Sequence, residues 1–442
     1  MSTPTSRSAA PPGKVWAWAI WDWGTQPLNT VVITFVFSVY ITSSPFGPTN
    51  ATSLALSLSI AIAGIIVALV APVLGQSSDR SGRTVGNLRW QTWLMAGLVA
   101  SLYFVRPDPA YLWLGLGILG VASIVNEIAT VNYYALIEEV STKANVGRIS
   151  GLGWGLGYLG GIGALLVLYF GFIQPEVGLF GVSDADALDI RVSMVVCAVW
   201  ILGFTIPTFL VLHDRPRPSA PRESIRTAYG LLGASIMNLW RTNRRTLAFL
   251  AASALFRDGL SGVFAFGAVL AAGTFGFSAG EVIIFGAAAS VVAGISTIVF
   301  GWLDDRLGPR RVILLSLGSL VVLGTVIFFL HEGGQTVFWT AGLAMTAFVG
   351  PAQSASRSYL ARLIPEGHAG ELFGLYATTG RAISFLSPAL FGLAILVGAA
   401  VTGQAETQYW GILGIVVILL AGFLVMLAVP DPDPAAEVDV VG

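Results

Sequence analysis

Twelve stretches of this chain are apolar for long enough to cross a bilayer as helices, and that leaves few other ways to fold. They lie at 16–42, 51–75, 90–106, 111–138, 150–173, 191–212, 246–273, 281–303, 311–330, 336–363, 371–398 and 407–429. A spanning helix needs about 20 mainly apolar residues. Charged residues make up only 11% of the chain, against roughly 25% in a soluble domain, so a water-soluble fold would expose too much apolar surface. An all-α membrane protein with twelve transmembrane helices is the expected class. The single cysteine, Cys197, excludes an internal disulfide, and His213, His331 and His368 are too scattered to suggest a metal site.

The chain also repeats itself. Gly75-Gln-Ser-Ser-Asp79-Arg80-Ser-Gly82-Arg83 returns as Gly301-Trp-Leu-Asp304-Asp305-Arg306-Leu-Gly308-Pro309-Arg310. Gly75 to Gly301, Asp79 to Asp305 and Gly82 to Gly308 share an offset of 226 residues. A second echo pairs Gly147-Arg-Ile-Ser-Gly151 with Gly370-Glu-Leu-Phe-Gly374 at an offset of 223. Two like-built six-helix bundles follow. The expected parts are a disordered arm (1–14), an N-terminal bundle (15–212), a linker (213–245), a C-terminal bundle (246–429) and a tail (430–442). Within the linker, Ser224–Leu239 has the pattern of an amphipathic helix lying on the membrane surface. Of 23 basic residues, 18 fall on one side of the predicted spans, which places both termini and the linker in the cytoplasm.

Six charges stand out well inside predicted spans, away from their ends: Asp22, Glu127, Arg257, Asp258, Arg357 and Arg381. Burying a charge in hydrocarbon costs several kcal/mol, so each calls for a partner or a pathway. Three acids and three bases sum to zero, which equally suits internal salt bridges. Glu127, beside Asn126 and one turn before Thr130, has the setting of a proton carrier. Asp22 reads equally as a gate residue or as a structural acid near a helix end. The tryptophans around it (Trp16, Trp18, Trp21, Trp23) read as interfacial anchors. Pro27 interrupts the first span and frees a carbonyl there. Gln26, Asn29 and Gln353 are further polar groups at membrane depth. Arg257 and Asp258 are neighbours and point about 100° apart on a helix, so at least one needs another partner.

The repeated loop has a mechanical reading. Asp79 and Asp305 suit a neighbouring helix N-terminus, while Arg80, Arg83 and Arg148 are placed to reach Glu138 and Glu139. With Gly75, Gly82 and Arg306 these form a candidate cytoplasmic gate. The glycines from Gly151 to Gly163 allow close helix approach. Two G-x-G-x-x-G matches lie inside apolar spans, and Gly276-Phe-Ser278-Ala-Gly280 joins two of them, so neither a dinucleotide site nor a nucleophile elbow is expected. No catalytic constellation is present.

The duplicated G-x-x-x-D-R-x-G-R loop in a six-plus-six arrangement resembles the major facilitator superfamily. Trp21-Asp22-Trp23, Tyr133-Tyr134-Ala135, Gly147-Arg148-Ile149-Ser150-Gly151, Arg257-Asp258-Gly259, Gln353-Ser-Ala-Ser356-Arg357, Ala361-Arg362-Leu363-Ile364-Pro365 and Gly380-Arg381 are similar to its vacuole-effluxer-like branch. The resemblance implies that spans 1, 4, 7 and 10 line a central cavity, and it makes Trp154 and Tyr158 candidate cavity residues. It also implies a secondary transporter for a small-molecule substrate, monomeric in the cell membrane and driven by a proton gradient without a cofactor. No nucleic-acid partner is expected. Efflux of a small polar or amino-acid-like metabolite is the leading expectation. The rivals are uptake of an anionic or sugar-like solute, drug export, and a non-transporting receptor or scramblase.

Overall fold

The computed structural model describes residues 10–214, 225–242, 244–364, 368–404 and 406–432. Most of the expected N-terminal arm, the start of the linker and most of the tail lie outside these residues. A helix runs through each of the twelve predicted spans. We number them α1 (Pro12–Pro27), α2 (Thr49–Ser81), α3 (Thr84–Ser101), α4 (Leu112–Ala135), α5 (Val146–Leu168), α6 (Leu188–Val211), α7 (Arg244–Gly273), α8 (Ala279–Leu307), α9 (Pro309–Phe329), α10 (Leu343–Leu363), α11 and α12 (Gly411–Ala428). The eleventh is in two pieces, Ala369–Ala382 and Leu386–Thr402, joined by a turn at 383–385.

Among the described residues, ten helical segments are long and apolar enough to cross a membrane, by length and composition alone. The two remaining spans, α3 and α10, carry Arg89 and Gln91, and Gln353, Arg357 and Arg362. The lipid-facing character of the others shows in their surfaces. Leu54, Leu58, Ile62, Ile65 and Leu69 recur along α2 at helical spacing and are each more than half exposed. On a helix of spanning length, a stripe of that kind suits contact with hydrocarbon.

Punctuation follows local chemistry. Gly82, at φ 61°, ends α2 in the left-handed region that glycine adopts without strain. Gly308 (φ 87°) and Pro309 do the equivalent work between α8 and α9. Ser278 and Glu281 form a reciprocal capping box at the start of α8, so the apparent nucleophile elbow is a helix cap.

The described residues form two compact units. One holds 10–140, 156–214 and 368–377; the other holds 141–155, 225–364 and 378–432. They follow the expected bundles except at two short segments, the first turns of α5 and of α11, each of which is grouped with the other half of the sequence.

Candidate functional site

In the first unit the site is organised by Pro27. Proline has no N–H to give the carbonyl four residues earlier, which is that of Trp23. The Trp200 indole of α6 supplies the donor instead, at 3.4 Å. Beyond Pro27 the chain continues as a π-helical segment, Leu28–Phe35, where Asn29 donates its side-chain amide to Gln26 Oε1 at 3.1 Å. The glycines of α5 accept this irregular stretch. A Cβ at Gly160 would come within 2.5 Å of the Trp23 carbonyl, and one at Gly161 within 2.9 Å of Gln26 Cγ. Gly157 lies against the Asp22 carboxyl, where a Cβ would be 3.1 Å from Cγ. Asp22 is thus half-buried, packed against Gly157 and close to Tyr158.

The tryptophans beside Asp22 divide in a way the sequence did not suggest. Trp16 is exposed, as an interfacial anchor would be, but Trp18 and Trp21 are fully buried. Both stack on Tyr133, with ring centroids 4.5 and 4.4 Å away. Their indole N–H groups are spent on the Tyr133 carbonyl and on Thr92 Oγ1, each at 3.0 Å. Satisfying the one polar atom lets an indole enter a core. Trp23 is half-buried and stacks on Trp200. On α4, Asn126 is buried and its carbonyl accepts the Thr130 hydroxyl at 2.8 Å, while Glu127 is half-buried.

In the second unit the adjacent Arg257 and Asp258 meet the two pieces of α11. Asp258 is buried and its Oδ2 accepts the Ser387 N–H at 2.7 Å, at the first turn of Leu386–Thr402. Arg257 reaches Gly380 in the last turn of Ala369–Ala382, where a Cβ would be 3.2 Å from its guanidinium. Acid meets a helix N-terminus and base a helix C-terminus, as the peptide dipoles favour. Arg381, half-buried, ends that first piece. Arg357 is 0% exposed: its Nε donates to Ser150 Oγ at 2.9 Å, its NH2 to the Ser150 carbonyl at 2.6 Å, and its guanidinium lies over Trp154, 5.8 Å from the centroid. Gln353 is half-buried one turn earlier on α10.

The two copies of the repeated loop make matched contacts with helix starts. Asp79 accepts the backbone N–H groups of Gly370 and Glu371, both at 2.9 Å. Asp305 accepts those of Gly147 and Arg148, at 2.8 and 3.2 Å. Each aspartate therefore holds the first turn of α11 or α5, and the two echoes of the sequence are the two partners of one contact. Gly75 makes it sterically feasible, since a Cβ there would sit 2.1 Å from the Gly370 carbonyl oxygen.

Two of the surrounding charges pair differently from expectation. Arg148 pairs with Asp305 (3.6 Å) rather than with Glu138 or Glu139, and Glu139 is held by Lys14 at 3.5 Å. Arg83 and Arg306 are exposed, and Arg80 and Glu138 half-buried. Sequence reasoning missed Asp304 and Arg362 as a pair. The guanidinium NH1 of Arg362 meets Asp304 Oδ1 at 2.6 Å, its NH2 meets Asp305 Oδ1 at 3.4 Å, and Ser358 donates its hydroxyl to Asp304. The doubled aspartate in the second loop copy was the available signal. Asp214 was also missed: it accepts the N–H groups of Val85 and Gly86 at the start of α3.

Residues 135–432 match the family described as vacuole effluxer Atg22 like. The chain belongs to that family. Over 94% of both chains it is 25% identical to the uncharacterized MFS-type transporter YxiO of Bacillus subtilis. It is 26% identical to autophagy-related protein 22 of Botryotinia fuckeliana over 64% of its own length, and there it spans about half (49%) of that fungal relative. Among solved structures it superimposes on the MFS proton:xylose symporter XylE with a TM-score of 0.70 at 14% identity, over 97% of each chain. A bacterial homologue of the iron transporter ferroportin gives 0.66 at 17%, over 94% of this chain and 98% of that one. The fold of this Atg22-like protein is that of the major facilitator superfamily, and it is a multi-pass membrane protein of the MFS transporter type.

Proposed function

We propose that this protein is a proton-coupled secondary carrier, not an enzyme, that exports a small polar or amino-acid-like metabolite from the cell by alternating access. The observation that carries the reading is the half-buried Asp22 carboxyl, packed against Gly157 of α5 at membrane depth. An ionisable group at that depth is functional by default. Glu127 in the same unit supplies a second acid, suited to carrying the proton, and Asp22 suits a substrate ammonium. In the second unit, taken by itself, Arg257 and Arg381 place positive charge at membrane depth. Arg357 and Asp258 serve the scaffold in this scheme. The protein works without a cofactor, as a monomer in the cell membrane with both termini in the cytoplasm.

Reconstitution into proteoliposomes tests it. A carrier loaded with an amino-acid mixture accumulates labelled amino acid by counterflow, whereas a receptor or scramblase accumulates none. Glu127→Gln is expected to abolish proton-driven accumulation and to preserve exchange. Undiminished coupling to the proton gradient in that variant would remove Glu127 from the role.

A further inference from the structure

We infer that the helix Ile225–Thr242, between the two halves of the sequence, is an anchor for anionic lipid headgroups. It is not a spacer. Tyr229, Gly233, Ile236 and Trp240 recur along it at i, i+4, i+7 and i+11, so they share one face. All four are exposed, with Met237 at the edge of the same stripe and Trp240 at 58%. Leu239, on the flank, is only 2% exposed, so that side of the helix is already covered by protein.

Position says what covers the open face. Thr242 is one residue from Arg244, the first residue of α7, and α7 is long and apolar enough to cross a bilayer. Trp240 therefore lies about one turn from the mouth of a spanning helix, at a rise of about 1.5 Å per residue. An apolar stripe held at that level meets the headgroup boundary, where tryptophan and tyrosine are favoured. The charges specify the headgroup. Arg226 and Arg241 belong to the helix and Arg244 and Arg245 follow it, with no acidic residue from Ile225 to Arg245. The Arg244 guanidinium sits over the Trp240 ring, 5.6 Å from its centroid. That stacked pair puts an apolar surface and a cation at the same depth, which suits a lipid phosphate above acyl chain.

The full chain in vesicles is the test. Cys197, the only native cysteine, is buried, so an environment-sensitive maleimide reports only an engineered site. We compare Ile236→Cys, on the stripe, with Ala234→Cys, exposed on the other side of the helix. In vesicles containing phosphatidylglycerol, the probe at 236 is expected to shift to the blue and to be quenched by bromine-labelled acyl chains, while the probe at 234 stays water-like. Replacing Arg241, Arg244 and Arg245 with Gln in the Ile236→Cys background is expected to remove most of the phosphatidylglycerol dependence. A water-like probe at 236, or equal quenching in phosphatidylglycerol and in pure phosphatidylcholine vesicles, overturns the inference. The readout is independent of transport, so it stands or falls apart from the proposed carrier activity.

Discussion

At the scale of single residues, one device recurs. The first four N–H groups of any helix lack an intrahelical partner, and this chain meets four such ends with aspartates from distant sequence. Asp79 serves α11, Asp305 α5, Asp214 α3 and Asp258 the second piece of α11. Each adds a negative charge at the positive end of a helix dipole. Asp258→Ala is expected to lose about 1–2 kcal/mol of stability, the range for a lost helix cap, while Asp258→Asn, which keeps an acceptor, loses less. Thermal unfolding of the purified protein checks the order; equal transitions for wild type and Asp258→Ala would show that the bond with Ser387 is energetically idle.

Elements show the same economy in α1 and α5. Pro27 denies the Trp23 carbonyl its usual donor, Trp200 supplies one from α6, and Gly160 clears room for the arrangement. Trp200→Phe leaves the part-buried Trp23 carbonyl without this donor, at about 1–3 kcal/mol at most. In a Pro27→Ala background the restored N–H gives that carbonyl a partner, so the same change is expected to cost measurably less. Additive unfolding shifts across this double-mutant cycle would exclude the coupling. The glycine run of α5 serves two helices in turn. Gly151 and Gly155 lie against α8, where Cβ atoms would come within 2.6 Å of the Thr297 carbonyl and 2.5 Å of Ile298 Cγ1. Gly157, Gly160 and Gly161 lie against α1. Close packing rather than flexibility explains these glycines.

Across the whole molecule, the sequence duplication becomes a duplicated latch. Asp79 with Gly370 and Glu371, and Asp305 with Gly147 and Arg148, are equivalent contacts built from equivalent residues. The second copy is reinforced by Arg362 and Asp304, whereas the first has Ser78, not an aspartate, at Asp304's counterpart position. If alternating access requires these latches to open and close, Asp79→Asn slows turnover without changing substrate affinity, and Asp305→Asn slows it less because Arg362 still grips Asp304. Initial rates of counterflow against substrate concentration separate the two effects. A large rise in the half-saturating concentration for Asp79→Asn counts against a latch.

The spans, the doubling and the loops were legible in the sequence because each is written in consecutive residues. Twenty apolar positions demand hydrocarbon wherever they are placed, and Gly82 or Pro309 acts on its own backbone. What the side chains do at depth was not legible. Trp18 and Trp21 have the composition of an interfacial belt, and only the arrival of Tyr133 and Thr92, about a hundred positions on, makes them core. Arg357 and Asp258 announce themselves as costly charges, yet their partners, Ser150 and Ser387, are 207 and 129 residues away. Local pattern settles which solvent a segment needs, because hydrophobicity is a property of the segment itself. Pairing depends on which segments meet, and that was decided only when the helices packed.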